Sequence, residues 1–457
     1  MSVTTSSPPS EPSTGWRAYL RAPSLPEAYR SVPIPHEASG WWGLVRKFLA
    51  FSGPGYLVAV GYMDPGNWAT DLAGGSQFEY ALLSVVVFSS LIAIFLQYLA
   101  LKLGVATGRD LAQACRDHFP APMAFGLWIL CEIAIAACDL AEVIGSAIAL
   151  NLLFGIPLIW GVCITALDVL MILFLQRHGF RLIELLVVLL IGVIAVCFGI
   201  EIYMAKPDWV PMLAGCIPSP ELFHNRAMLY VAIGILGATV MPHNLYLHSS
   251  ITQTRHYDLT PEGKREAIRF GTLDSTVALG FALLINAAIL ILAAATFYRT
   301  GHHEVAEIQD AYHLLAPLLG AGVASVLFAI ALLASGQNST LTGTLAGQIV
   351  MEGFLHLRLP PMLRRLITRA LAVIPAIIVT AIAGQSGTAQ LLIFSQVVLS
   401  MQLSFAVVPL VWFTSDRRKM GEFANRRWEK WLGWSLAAII AGLNVFLLYQ
   451  TLAGQGS

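Results

Sequence analysis

The chain has 457 residues and a formal net charge of zero; 57% of its residues are hydrophobic and only 12% are charged. A soluble globular protein carries about 25% charged residues, so this composition excludes an ordinary soluble enzyme, and the balanced charge indicates no nucleic-acid partner. The sequence therefore predicts an all-α polytopic membrane protein. Six cysteines, four of them inside predicted membrane spans, do not indicate a disulfide framework.

The first 40 residues differ from the rest of the chain because they are rich in serine and proline. They contain no apolar run long enough for the core of a signal peptide. We predict that residues 1–40 form a mostly disordered cytoplasmic tail, followed by a segment at the membrane interface around Trp41 and Trp42. Residues 41–457 are predicted to form one transmembrane domain.

Membrane-spanning helices are predicted wherever about 20 mostly apolar residues follow one another. Eleven stretches meet this criterion. The eighth is long and is interrupted by polar residues at 335–339, and we predict one helix that continues beyond the membrane. The predicted spans are 50–72, 80–103, 123–150, 156–176, 182–205, 228–253, 271–297, 315–353, 363–384, 389–413 and 432–453.

The distribution of basic residues supports this number of spans. With the N-terminus in the cytoplasm, 24 of the 27 Lys and Arg residues fall on the cytoplasmic side, and only Lys206, Arg226 and Arg299 fall outside. Cytoplasmic loops of membrane proteins carry such an excess of basic residues. The sequence therefore predicts a multi-pass protein of the plasma (inner) membrane, with its N-terminus inside and its C-terminus outside.

Two predicted spans contain similar interruptions near their centres. The first contains MDPGN at 63–67 and the sixth contains VMPHN at 240–244. Proline removes a backbone donor and glycine adds freedom, so each motif is expected to break its helix. Unwound backbone within a membrane persists only where protein or a water-filled cavity satisfies it. The residues with this structural or gating role are Pro65, Gly66, Pro242 and Asn244.

The two breaks lie five spans apart, so the two helices run in opposite directions across the membrane. A single break is commonly a proline kink. Interrupted helices at matching positions of two inverted halves instead indicate the substrate site of a transporter. We favour this second interpretation because potential ligands, Asp64 and Met241, directly precede the two prolines.

The residues at the breaks indicate a cation site. Asp64 offers an anionic oxygen and Asn67 a neutral one, and opening the helices frees carbonyls near Gly61 and Ala238. Oxygen ligands alone would suit Na⁺, Mg²⁺ or Ca²⁺, whereas the thioether of Met241 favours softer first-row metals such as Mn²⁺ or Fe²⁺. Methionine is also a common flexible core filler, but its position mirrors that of Asp64.

The third span carries Glu132, Asp139 and Glu142, whose offsets of seven and three residues place them on one helical face. Carboxylates within a membrane usually face the bundle interior and line ion or proton paths. Alternatively, they are structural groups that pair with Arg255 or Arg369. The two interpretations are compatible, because a proton relay can consist of such pairs.

Other polar residues in the spans have predicted roles of lower specificity. His243 is predicted to gate the site or carry protons, since histidine titrates near neutral pH, and His248 to serve in helix packing or as an outer relay. Asn286 is expected to hydrogen-bond between helices. Cys131 and Cys138 are possible soft ligands, although small buried packing residues are the favoured interpretation.

An ordered set of motifs resembles the signatures of the Nramp family of proton-coupled divalent metal transporters, whose bacterial members import manganese. The set comprises DPGN at 64–67, DLAE at 139–142, MPHN at 241–244, YLHS at 246–249, GTLAGQ at 343–348 and SQ at 395–396. The resemblance implies a LeuT-type fold. Two inverted five-helix repeats would cover about 50–205 and 228–413, with one extra helix at 432–453.

The same resemblance implies roles for individual residues. Asp64, Asn67 and Met241 would be side-chain ligands, the carbonyls of Ala238 and Gly61 would complete the shell, and Gln396 would join on occlusion. Asp139 and Glu142 would lie on the proton route near His243. Family members often have alanine at the position of Gly61, and the magnesium-carrying relatives lack the methionine.

The predicted function is proton-coupled import of divalent transition metals, chiefly Mn²⁺ and also Fe²⁺, with Cd²⁺, Co²⁺ or Zn²⁺ as lesser substrates. No enzymatic activity, cofactor or obligatory protein partner is expected, and the lipid bilayer is the surrounding medium. One alternative is a Na⁺-coupled carrier of organic solutes with the same architecture. Another is an intramembrane metalloenzyme that uses Asp64, His243 and His248.

Overall fold

The structure is a computed structural model, and it describes most of the chain. The described residues are 23–26, 28–35, 40–165, 167, 180–303, 305, 307–320, 322–355, 363, 367, 370, 373–375, 377–378 and 388–453, with the side chain of 223 and those from 450 onward excepted.

Helices make up nearly all of the described residues, and short 3₁₀ turns connect some of them. In chain order the helices are α1 (Gly40–Phe51), α2 (Pro54–Gly61), α3 (Pro65–Phe78), α4 (Leu83–Thr107), α5 (Leu111–His118), α6 (Ala121–Phe154), α7 (Leu158–Thr165), α8 (Phe180–Ala205), α9 (Trp209–Gly215), α10 (Arg226–Thr239), α11 (Pro242–Ile251), α12 (Pro261–Thr296), α13 (Ile308–Leu319), α14 (Gly322–Leu355), α15 (Thr388–Ser415), α16 (Arg417–Met420) and α17 (Arg427–Ala453). Two short strands, β1 (Val32–Pro33) and β2 (Arg255–His256), pair in parallel.

Eight helical segments in the described part are long and apolar enough to cross a membrane by length and composition. They are α4, α6, α8, the α10–α11 segment, α12, α14, α15 and α17, and each coincides with a predicted span. The first predicted span corresponds to α2 and α3, which are individually shorter. Predicted spans four and nine, 156–176 and 363–384, are described only in part.

Both predicted helix breaks are present. In the first span α2 ends at Gly61 and α3 begins at Pro65, and in the sixth α10 ends at Thr239 and α11 begins at Pro242. Proline at the first helical position has no amide hydrogen to leave unpaired and has a dihedral angle suited to a helix start. Each half-helix after a break therefore begins where the sequence predicts.

The two broken helices run in opposite directions. Gly53, just before α2, packs against Arg255, which follows α11, so α2 begins at the end of the bundle where α11 finishes. We call this end the basic face, defined by β1, β2, the α4–α5 connection, the start of α12 and residues 416–427. It carries most of the basic residues of the described chain.

The N-terminal segment differs from the disordered tail predicted for residues 1–40. Within the described residues 23–35, β1 pairs with β2, Ser24 donates a 2.6 Å hydrogen bond to Asp110, and Arg30 donates to the carbonyl of Tyr257. Leu25 is also buried. The segment therefore docks onto the basic face, because its few apolar and hydrogen-bonding side chains meet partners that only the folded bundle supplies.

Beyond the tail, α1 contains the interfacial segment predicted around Trp41 and Trp42, whose side chains are 73% and 74% exposed. The eighth predicted span is helical from Gly322 onward as α14, which continues through the polar residues at 335–339. Of these, Ser335, Asn338 and Ser339 are buried, and Gln337 is half-buried. The first residues of that predicted span belong to α13, whereas α5 and α9 lie in connections between predicted spans, and these three short helices were not predicted.

Candidate metal-binding site

Oxygen atoms from both broken helices converge on the side chain of Asn67. Its amide Nδ2 donates to Asp64 Oδ1 at 2.7 Å, to the carbonyl of Ala238 at 3.2 Å and to the carbonyl of Gly61 at 3.5 Å. The backbone amide of Asn67 also donates to Asp64 Oδ1 at 2.8 Å, which caps α3. Four of the six predicted ligand residues therefore meet at one point.

Helix ends explain why the carbonyls are available. Gly61 is the last residue of α2, and Ala238 is the residue before the end of α10. The last four carbonyls of a helix have no intrahelical partner, and the C-terminal end carries a partial negative charge. Two such ends, one from each inverted half, are directed at the Asp64 carboxylate and make the centre of the site attractive to a cation.

Met241 and Asp64 share a neighbour. Met241 is completely buried and packs against Ala134, Cys138 and Leu399. The thiol of Cys138 lies 4.0 Å from Asp64 Oδ2, so the sulfur of Met241 and the carboxylate of Asp64 border the same small space. The two residues that directly precede the prolines are thus brought together as predicted.

The absence of a side chain at Gly61 has a steric explanation. A Cβ atom added there would overlap the amide nitrogen of Asn244 and would lie 3.3 Å from Met241 Sδ. Asn244 Nδ2 lies 3.7 Å from Met241 Sδ and 3.5 Å from the carbonyl of Val58. Glycine at this position therefore leaves room for Asn244 beside the thioether.

Gln396 lies against the start of α3. Its side chain fills the space where a Cβ atom of Gly66 would stand, and its Nε2 donates to Ser395 Oγ at 3.0 Å. Its Oε1 is buried and accepts no hydrogen bond from any residue that the structure describes. This oxygen is suited to the predicted role of an additional ligand on occlusion.

Polar groups from neighbouring helices satisfy the unwound backbone of the first span. Asn286 Nδ2 donates to the carbonyl of Tyr62 at 2.8 Å and to Asn67 Oδ1 at 3.3 Å, while Ser335 and Trp68 donate to the carbonyl of Met63. The predicted interhelical hydrogen bond of Asn286 is therefore present. The role of Ser335 was missed, although its position in the polar interruption of α14 was a signal for it.

The carboxylates of the third span lie beside the site on α6. Glu142 accepts from Ser339 Oγ at 2.6 Å and from Cys138 Sγ at 3.6 Å, and with Asp139 it packs against Gly343 of α14. Glu132, nearer the start of α6, is half-buried and accepts from Trp128 at 2.9 Å. Cys138, interpreted from sequence as a packing residue, instead links Asp64 to Glu142.

Of the two predicted arginine partners of these carboxylates, Arg255 lies elsewhere. Arg255 instead forms an ion pair with Glu184 of α8 at 2.7 Å and donates to the carbonyls of Phe51 and Ser52. It is separated from α6 because the strand β2 holds it at the basic face. Arg369 lies outside the described residues.

The two histidines of α11 are both buried but differ in their contacts. The Nδ1 atom of His243 has no hydrogen-bond partner among the described residues. His248 Nδ1 lies 3.0 Å from Gln97 Oε1, and Gln97 Nε2 donates to the Tyr62 hydroxyl at 2.7 Å. Because α11 runs from the site to the basic face, His248 lies on that side of the site, where it contacts Gln97 of α4.

The route from the site to the basic face is closed. Asp274 of α12 accepts hydrogen bonds from the amides of Gly53 and Gly55 and from Ser52 Oγ, at 3.3, 2.7 and 2.9 Å. Arg255 and its partner Glu184 pack directly against Gly53. The start of α2 is thus fixed to α8 and α12, and the side chains of Asp64, Asn67 and Met241 are at most 1% exposed.

The donor set differs from that of a typical enzyme metal centre. Across the described residues, no group of three or more His, Cys, Asp and Glu side chains is arranged to hold a metal. Asp64, His243 and His248 in particular do not form such a group. The site instead combines one carboxylate, one thioether, an amide and backbone carbonyls.

A family model described as natural resistance-associated macrophage protein-like matches residues 55–450. The chain belongs to the Nramp family. It is 65% identical over 437 residues to a protein of Listeria innocua named divalent metal cation transporter MntH, covering 96% of this chain and 97% of the relative. It is 60% identical to a protein of the same name from Mesorhizobium japonicum, covering 97% and 98%.

Solved structures agree with this assignment. The manganese transporter of Eremococcus coleocola superposes with a TM-score of 0.86 at 43% identity, covering 95% of this chain and 92% of that one. The nucleobase-cation symporter Mhp1 superposes with a TM-score of 0.60 at 13% identity, covering 92% of each chain, a likeness of fold alone. The predicted all-α polytopic fold, with broken first and sixth helices, is confirmed.

Proposed function

We propose that this protein imports divalent transition metal ions, chiefly Mn²⁺, across the plasma membrane by alternating access, in symport with protons. The observation that carries the proposal is the convergence of Asp64, Asn67, Met241 and the carbonyls of Gly61 and Ala238 at two unwound helix breaks. Its Nramp relatives at 60–65% identity are named divalent metal cation transporters.

Metal binding requires the side chain of Asn67 to turn over. Its Nδ2 atom points to the three oxygens and its Oδ1 accepts from Asn286. A half-turn of the amide directs Oδ1 to the cation and Nδ2 to Asn286, whose own Oδ1 is buried without a hydrogen-bond partner in the described residues. Asn286 can therefore serve both amide orientations.

The metal then reaches the other side when α2 and α11 move. The contacts of Asp274, Glu184 and Arg255 that fix the start of α2 have to break, because they close the route to the basic face. The excess of Lys and Arg assigns this face to the cytoplasm. Entry thus occurs from the opposite, outer face, and release occurs beside Gly53.

The proton route leaves the metal site through α6. Asp64 receives the proton, Cys138 bridges it to Glu142, and Asp139 lies one turn away on the same helix. His243, buried next to the break in the sixth span, takes part as the second titratable group of the site. The proton and the metal ion therefore leave the site by separate routes.

The transport proposal is tested with purified protein in liposomes. We expect Mn²⁺ uptake that increases with an inside-negative potential and is lost in Asp64→Ala, because the carboxylate is the charged ligand. Asp117→Ala, which removes an exposed carboxylate on the basic face, is the matched control. Absence of Mn²⁺ uptake by the wild-type protein under every gradient would end the proposal.

Proton coupling is tested in the same liposomes with a pH indicator inside. Mn²⁺ uptake should acidify the lumen, and Glu142→Gln should reduce acidification more than Mn²⁺ binding. Replacing Na⁺ by choline should leave uptake unchanged. Uptake that requires Na⁺, or that proceeds with an organic solute in place of metal, would favour the sodium-coupled carrier.

A further inference from the structure

A cavity at the basic face has no part in metal transport as described above. It has a volume of about 400 Å³ and lies between the end of α4, the start of α12 and residues 422–429, which lead into α17. We call it the basic pocket. The charged groups and tyrosine that line it are Tyr98, Lys102, Arg265, Arg269, Arg426 and Glu429, with Glu422 at its edge.

The buried end of the basic pocket is built from a fixed ion pair. Lys102 and Glu429 are each 3% exposed, and their charged atoms lie 2.8 Å apart. Glu429 also accepts from the Tyr98 hydroxyl at 2.8 Å and from the backbone amide of Arg426 at 2.7 Å. The carboxylate of Glu429 is therefore fully engaged, and the pocket holds its shape.

The open end of the basic pocket carries uncompensated positive charge. Arg265 is paired with Glu422 at 2.5 Å. The guanidinium groups of Arg269 and Arg426 are exposed and form no ion pair with any residue that the structure describes. Four basic side chains and two carboxylates line the pocket, so its formal net charge is +2. This positive charge lies at the open end of the pocket.

The position of the pocket relates it to the membrane surface. Trp428 and Trp431, at the start of α17, are 56% and 76% exposed, and Trp428 contacts Phe95 of α4 at a ring distance of 6.1 Å. Exposed tryptophans mark the depth of the lipid headgroups. The cavity therefore opens beside the headgroup layer, and the apolar side chains of Ile268 and Phe423 line its wall.

We propose that the basic pocket binds a phosphate group, and the flanking tryptophans favour that of an anionic phospholipid. Guanidinium groups match phosphate oxygens in a bidentate geometry, and basic pockets between transmembrane helices on the cytoplasmic side bind anionic headgroups. The bound lipid bridges α4, α12 and α17. A soluble phosphate would satisfy the same chemistry, so the experiment distinguishes the two sources.

The experiment measures binding and is independent of transport. The full-length protein is placed in phosphatidylcholine nanodiscs, and phosphatidylglycerol is titrated in while bound anionic lipid is counted by native mass spectrometry. We expect the double variant Arg269→Ala/Arg426→Ala to weaken phosphatidylglycerol binding by at least about tenfold, given the contribution of each basic residue near a lipid surface.

Arg417→Ala/Arg418→Ala is the matched control, since it removes two exposed arginines of the same face outside the pocket. We expect it to bind phosphatidylglycerol like the wild type, and the melting temperatures of all three proteins without anionic lipid to agree. Equal loss of phosphatidylglycerol binding in both double variants would show that only general electrostatic attraction to the basic face holds the lipid. This result would overturn the proposal. Unchanged binding in both would also overturn it.

A second arm identifies the source of the phosphate. Inorganic phosphate and glycerol 3-phosphate are added to the protein in phosphatidylcholine alone. Binding that depends on Arg269 and Arg426 in this arm, without a matching preference for phosphatidylglycerol, assigns the pocket to a soluble phosphate. Failure in both arms refutes phosphate binding, while the proposed metal transport remains to be judged by Mn²⁺ uptake.

Discussion

At the residue scale, the composition of the metal site determines which ions it accepts. One carboxylate, one amide and backbone carbonyls would bind a hard cation as well as a transition metal, because all are oxygen donors. The thioether of Met241 is the only side chain among the predicted ligands that favours the softer ion. It is held in place by Asn244, Cys138 and Leu399.

Met241→Ala is therefore expected to change selectivity more than affinity. Binding of Mn²⁺ should weaken by about tenfold, the scale of one lost ligand contact, while Ca²⁺ and Mg²⁺ gain access as substrates. Competition of each ion against Mn²⁺ uptake measures this. Met212→Ala, in the middle of α9 and away from the site, is the control. Unchanged exclusion of Ca²⁺ would show that the thioether does not select the ion.

Cys138 supports a second prediction at this scale. Its thiol touches both Asp64 and Glu142, so Cys138→Val, which keeps the volume but removes the polar hydrogen, should interrupt the bridge between the two carboxylates. We expect Mn²⁺ binding within about threefold of wild type and a clear fall in proton flux per Mn²⁺ transported. Cys138→Ser should retain coupling. Equal coupling in the valine and wild-type proteins would refute the bridge.

At the element scale, the start of α2 acts as the closing element of the basic face. Asp274 accepts three hydrogen bonds from residues 52–55, and the Arg255–Glu184 pair packs on Gly53. These contacts connect the start of α2 to α8 and α12, whereas the far end of α2 contacts Asn67 and Asn244 at the helix breaks. The polar contacts therefore decide whether this half-helix is docked or free to move.

Asp274→Ala should release α2 from α12. We expect faster hydrogen exchange at the amides of Gly53 and Gly55, which lose their acceptor, and no change in the centre of α4. Glu184→Gln should act in the same direction with a larger effect, because breaking a buried ion pair by removing one partner costs about 3–5 kcal/mol. Unchanged exchange in α2 in both variants would refute this closing role.

At the scale of the whole molecule, the N-terminal segment joins parts of the basic face that are far apart in sequence. Ser24 hydrogen-bonds to Asp110 at the start of α5, and β1 pairs with β2 after α11. Burial raises the pKa of Asp110 from 3.8 to about 6, against the lowering effect of the Ser24 hydrogen bond. The hydrogen bond from Ser24 therefore favours the ionised form of Asp110.

The hydrogen bond between Ser24 and Asp110 is tested by Ser24→Ala. We expect weaker protection of the amides of residues 28–35 from hydrogen exchange, because the segment loses its bond to the start of α5. Ser31→Ala, at an exposed position of the same segment, is the control. Equal protection in the Ser24→Ala and wild-type proteins would contradict this role.

The sequence alone was sufficient to predict the two breaks and the spans that the structure describes. The length of an apolar stretch predicts a membrane-spanning helix without knowledge of the neighbouring helices. The prolines after Asp64 and Met241 fix where α3 and α11 begin. Local chemistry also identified Asn67 and Asn286. Position in an inverted pair of motifs was enough to infer that the ligands meet.

Tertiary structure alone decided which distant groups are partners. Arg255 pairs with Glu184, and Cys138 contacts Asp64, because helix packing sets these distances and periodicity along one helix carries no record of them. The docked N-terminal segment and the basic pocket arise in the same way. Each depends on surfaces contributed by several helices, which exist only once the bundle has assembled.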